Sequence, residues 1–188
     1  HPIQPPKALN HRERARRDAA APGAEVRLNT VSIRRGAMEL AQGSMNVADA
    51  DGEVVIQRGA VREVIGNSPN GVEQLWEIDE KPEGDGDLVV AVQTVGAPYA
   101  GKDERGLVFQ APDGTGLVYG QATWVDDTGL RTPVASRWNA TLGRVELVVP
   151  HALVESSSYP AALDPILMSA NTTSSTYGPD TAATGSTN

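Results

Sequence analysis

Two acidic, glycine-bearing corners carry the residue types of a cation loop: Asp49, Asp51 and Glu53 in "DADGE", and Glu83, Asp85 and Asp87 in "EGDGD". Hard cations such as calcium take several oxygen ligands from a turn that glycine permits. Asp49, Asp51, Glu53, Asp85 and Asp87 are therefore the candidate metal-binding residues. Neither stretch completes a twelve-residue loop with its terminal bidentate Glu, and tight strand connections also favour Asp and Gly. A second constellation, His151, Ser156 to Ser158 and Asp164, holds the types of a nucleophile triad. No "GxSxG" elbow accompanies it, so these residues read as loop polarity and no catalytic residue is assigned. A glycosidase needs two converging acids and aromatic platforms in a cleft. Trp76, Trp124 and Trp138 fall instead on strand patterns and are expected in the core.

The elements that position these residues must come from a chain of 188 residues, about one domain's length, with a formal net charge of −8. Such a charge repels phosphate backbones and anionic lipid, which argues against nucleic-acid and membrane-surface partners. No stretch approaches 18 consecutive apolar residues, so no membrane insertion is expected. Cysteine is absent, which excludes disulfides, thiolate nucleophiles and cysteine-based zinc sites. The first residues run against the overall charge: Arg12, Arg14, Arg16 and Arg17 form a basic arm and a candidate partner contact.

From Ala24 the texture changes. Val26 and Leu28 alternate with Arg27 and Asn29, and Val31 and Ile33 with Ser32 and Arg34, the period of a half-buried strand. Similar runs recur, among them "GVEQLWEID", "DLVVAVQTVG", "GLVYGQATWVD" and "RVELVVP", cut by "DADG", "NSPNG", "PEGDGD", "PDGTG" and "DDTG". Aspartate and glycine supply the backbone bonds and positive φ that such turns require. Val145, Leu147 and Val149 oppose Arg144 and Glu146, while Leu130, Val134 and Trp138 oppose Arg131 and Arg137. "DDTG" predicts a hairpin, Pro133 predicts an edge or bulge, and "PHALVESS" predicts a short helix. The fold class is all-β: an antiparallel β-sandwich, with a partly open barrel as the alternative. Residues 1–23 form the arm, 24–167 the β domain and 168–188 a Ser/Thr/Gly-rich linker or tail.

"SYPAALDPIL" ends the regular pattern. Tyr159, Pro160, Asp164 and Pro165 are read as a domain-closing signature, because proline fixes φ and holds its predecessor extended. Asp164 is expected to stabilise a sharp exit turn. "GVEQLWEI", "GLVYGQATWVDDTGLRTPV", "RVELVVP" and this terminal signature together resemble a β-rich N-terminal domain of very large secreted or surface-displayed bacterial proteins, which precedes β-propeller or other β-repeats. The resemblance covers roughly residues 71–167 and implies location and context rather than a reaction. A chain opening on His1-Pro2 then reads as a mature or excised piece. The expected function is a non-enzymatic extracellular module acting in assembly or adhesion. Its partners are proteins, either further copies or the rest of its own precursor, and its cofactor is none unless calcium. A cleaved pro-domain or chaperone, and a calcium- or glycan-binding adhesin module, are the alternatives.

Overall fold

The computed structural model describes residues 26–41, 46–50, 53–68 and 71–170. Among these, thirteen antiparallel strands and one short helix follow in chain order. They are β1 (Arg27–Arg35), β2 (Met38–Glu39), β3 (Asn46–Ala50), β4 (Glu53–Arg58), β5 (Val61–Ser68), β6 (Gly71–Ile78) and β7 (Leu88–Val95). Then come β8 (Tyr99–Lys102), β9 (Leu107–Gln110), β10 (Gly116–Val125), β11 (Arg131–Asn139), β12 (Arg144–Val149), α1 (His151–Ser156) and β13 (Ala161–Ser169). The basic arm with Arg12, Arg14, Arg16 and Arg17, the Ser/Thr/Gly-rich tail from Asn171, and Asp51 lie outside the described residues.

One hydrogen-bonded path, β2-β1-β7-β12-β11-β10-β13-β6-β5-β4-β3, joins the strands, and β9 with β8 branches from β10. The sheet curls into an open half-barrel, so the expected all-β antiparallel fold takes its partly open barrel form. β11 explains why the two wings stay continuous. Its first half, through Val134, pairs with β10, and from Ala135 it pairs with β12, so one strand belongs to both wings. Pro133 falls in the first half, opposite Thr123, where β12 has not yet joined and no donor is needed on that side. β10 divides similarly, pairing Gly116–Tyr119 with β9 and Ala122–Val125 with β11, with a register shift between.

Alternation decides the core. Val145, Leu147 and Val149 are fully buried, as are Leu88, Val90 and Val92 on the neighbouring β7, and each such side chain contributes about 1.5–3 kcal/mol. Trp76 and Trp124 lie inside, and Trp138 packs on the core edge, its ring stacked 4.7 Å from that of Tyr99. Two expected inward positions are not inward. Val31 is 48 % exposed because a bulge between Thr30 and Ser32 advances the phase of β1, so that Thr30, Ile33 and Arg35 face in. Leu130 is exposed because it belongs to the turn before β11 rather than to the strand.

The closing signature is corrected at its second proline. Asp164 and Pro165 do not form an exit turn: they lie inside β13, which runs on to Ser169, between β10 and β6. β6 pairs with β13 only through Leu163, and on β10 Pro165 stands opposite Ala122, the last pair before the register shift toward Tyr119, so the proline falls where both neighbouring ladders break. Tyr159 and Pro160, joined by a cis bond, do precede the strand as a bend.

Candidate functional site

Two polar constellations stand out, and their chemistry differs. The first is a fastening cluster around α1. Arg35 leaves the inner end of β1 with only 2 % of its surface exposed, and donates to the carbonyl oxygen of Pro82 at 2.6 Å, to that of Gly86 at 3.4 Å and to the Glu155 carboxylate. Lys81 also donates to Glu155, at 3.2 Å. The Arg35 guanidinium, then Lys81, holds the Glu155 carboxyl below its ordinary range.

The "EGDGD" corner is part of this cluster. Asp87 accepts from the His151 backbone N–H at 2.8 Å, serving as the acceptor at the start of α1. The Gly86 N–H donates to His151 Nδ1 at 3.3 Å, with an Arg35 nitrogen 3.5 Å away, so Nδ1 is an acceptor and the ring proton belongs on Nε2. Asp85, 3.5 Å from the same nitrogen, is then a neighbour rather than a bonded acceptor. Gly36 shows how closely this corner approaches: at φ 55°, an added Cβ would sit 1.9 Å from the Asp85 carbonyl oxygen.

The remaining sequence candidates are dispersed. Ser157 donates to the Leu153 carbonyl at 2.7 Å and accepts from Trp124 Nε1 at 2.8 Å, and Asp164 lies 3.9 Å from Arg131 on a different strand pair. His151, the serines and Asp164 are therefore not brought together. The Tyr159 hydroxyl donates to the Val154 carbonyl at 2.9 Å, and burial pushes its pKa up to about 12. Asp126 accepts from Thr128 N, Thr128 Oγ1 and Leu130 N, organising the "DDTG" turn. Asp49 lies on β3 and Glu53 opens β4, paired through Ala50 across the hairpin. Among the described residues, no group of three or more His, Asp or Glu is placed to hold a metal.

The second constellation is interior and composition did not point to it. On β5 and β6 the inward phase runs Val61, Glu63, Ile65 and Gln74, Trp76, Ile78, placing two polar residues among apolar ones. Glu63, 1 % exposed, accepts from Gln74 Nε2 at 2.7 Å, from Thr30 Oγ1 at 2.8 Å and from Arg58. Trp76 Nε1 donates to Thr30 at 3.2 Å, so β1 on one wing is tied to β5 and β6 on the other. The amide of Gln74 has a defined orientation, because turning it would set its oxygen against the Glu63 carboxylate. Its Oε1, buried, accepts no hydrogen bond from the described residues, nor does the Tyr119 hydroxyl engage one. Burial, and then the Glu63 charge, raises the Tyr119 phenol well above its ordinary range. A buried unpaired polar atom costs about 1–3 kcal/mol.

Gln74 lines a cleft of about 260 Å³ at one end of the half-barrel, otherwise walled mainly by Val26, Leu28, Ile65, Leu117, Leu167 and Met168. Gly116 and Ser169 complete its lining. In comparisons with known proteins, the chain matches no protein-family model, no curated protein and no solved structure.

Proposed function

We propose that the chain is a non-enzymatic structural module of a larger secreted or surface-displayed bacterial protein. The observation that supports this reading is the use made of its reactive residue types. Asp87, His151, Ser157 and Glu155 spend their polar atoms joining α1 to the 82–87 corner, to β1 and to β10. A second feature fits a tethered unit. Val26 and Ser169, at the two ends of the described body, line the same cleft, so the chain enters and leaves at one end of the half-barrel. Among the described residues the edge strand β3 pairs with β4 alone, and Val47 on it is exposed, which suits strand addition by a neighbour.

The test is antibody labelling of intact cells of the source organism, combined with immunoblotting of the labelled material. Surface labelling on a polypeptide much heavier than 19.8 kDa supports the module. A free species near that mass overturns it in favour of a cleaved pro-domain, and exclusively internal labelling overturns the extracellular location.

A further inference from the structure

We infer that Thr30 and Gln74 join in an intramolecular ester, Thr30 Oγ1 bonding to Gln74 Cδ with release of ammonia, and that Glu63 carries the proton between them. The step occurs once within the chain, needs no co-reactant, and is independent of where the module resides.

A hydroxyl, a primary amide and a carboxylate meet in an interior nearly closed to water: Thr30 is 7 % exposed, and Glu63 and Gln74 are 1 % each. One carboxylate oxygen links the other two groups. Glu63 Oε1 accepts from Thr30 Oγ1 at 2.8 Å and from Gln74 Nε2 at 2.7 Å, so the base that takes the hydroxyl proton already touches the nitrogen that must leave with it. Its second oxygen, Oε2, is held by Arg58, which fixes the carboxylate in place. Thr30 Oγ1 stands 3.4 Å from Gln74 Nε2, long for a hydrogen bond, and that nitrogen is one covalent bond from the carbon to be attacked. Trp76 Nε1, at 3.2 Å, steadies the hydroxyl there.

Oγ1 adds to Cδ while its proton passes to Glu63 Oε1, and the carbonyl electron pair moves onto the Gln74 oxygen. When that pair returns, the Cδ–Nε2 bond breaks and Nε2 departs as ammonia with the proton from Glu63. The carboxylate is regenerated, and nothing is oxidised or reduced. Gln74 lines the cleft of about 260 Å³, which gives the ammonia room to leave. No described residue donates to Gln74 Oε1, so the oxyanion forms unassisted and the reaction is slow. One event per chain is enough. Its product is a covalent tie between β1 and β6, spanning 44 residues of sequence, where hydrogen bonds already join the two wings.

Intact-mass spectrometry of the full-length chain, followed for about one week at pH 7, tests the assignment. The expected mass is about 17 Da below that of the sequence, the loss of one ammonia. The tryptic peptides holding Thr30 and Gln74 should then be recovered as one species, which hydroxylamine in denaturant separates. Thr30→Val, which keeps the shape and removes the nucleophile, should yield no joined peptide. Glu63→Gln should slow the joining about 100-fold. A parent chain that keeps its full sequence mass overturns the ester without any variant being needed. Asn70-Gly71 can shed the same mass by closing a succinimide, so a loss that leaves the two peptides separate overturns it as well. Joining in Glu63→Gln at the parent's rate overturns the role given to Glu63.

Discussion

The Arg35 guanidinium and the Pro82 carbonyl oxygen meet at 2.6 Å across 47 residues of sequence, inside the half-barrel's end and nearly out of reach of water. The same guanidinium reaches Gly86 and Glu155, so a single side chain ties β1, the 82–87 corner and α1 together.

Arg35→Met keeps the stem and removes the fork, leaving two backbone carbonyls without their donor. Hydrogen bonds from a charged group contribute about 1.5–3 kcal/mol each when buried, so a loss of roughly 2–4 kcal/mol is expected. Glu155→Gln should lower the melting temperature by much less, because Glu155 is open to solvent and screened. Urea denaturation of the two variants checks the asymmetry, and equal losses would show that the ion pair, not the carbonyl contacts, holds the corner.

Gly36→Ala should destabilise by at least about 2 kcal/mol, since φ of 55° already disfavours a side chain and the Asp85 oxygen occupies the Cβ position. Gly129→Ala, also at positive φ but with open space around it, supplies the control. It should show the conformational cost alone. Thermal unfolding of both variants separates clash from backbone preference.

Acid stability follows from two depressed carboxyls. Hydrogen bonds from Thr128 lower Asp126, and those from Arg35 and Lys81 lower Glu155. A folded pKa below the unfolded one means stability that is present above the unfolded value and is lost as pH falls through the folded value. Unfolding free energy should therefore drop as pH falls below about 4. In Asp126→Asn the drop should be shallower, as read from denaturation midpoints at pH 5 and pH 3.

Asp164 runs the other way. Burial raises its pKa, opposed by Arg131 and reinforced by Glu73, so its contribution is fully present below the unfolded value and lost as pH rises through the folded value. Asp164→Asn should be neutral to stabilising at pH 7, within about 0.5 kcal/mol, and should lose that advantage at pH 3. A destabilised Asp164→Asn at pH 7 would show that the carboxylate, not its burial, matters there.

Much of the frame was legible because a period of two carries its own geometry: Val145, Leu147 and Val149 had to share a face, and Asp126 with Gly129 had to turn the chain between β10 and β11. The helix after Pro150 and the core placement of Trp76 and Trp124 followed from equally local signals. The interior site carried a weaker mark. Glu63 and Gln74 stand at inward positions of their strands, between Val61 and Ile65 and before Trp76, but a polar residue at such a position reads equally as a break in the pattern.

Strand identity, turn chemistry and the charge imbalance were decided by the sequence alone, because each depends on neighbours within a few residues. Tertiary structure decided the rest. Pro165 could continue a strand only because β6 had already left its ladder, Val31 turned outward only because β1 bulges against β7, and Gln74 kept a free oxygen only because Glu63 claimed its nitrogen. Each of these depends on a partner from a distant part of the chain, and the curl of one continuous sheet is what brings such partners within bonding distance.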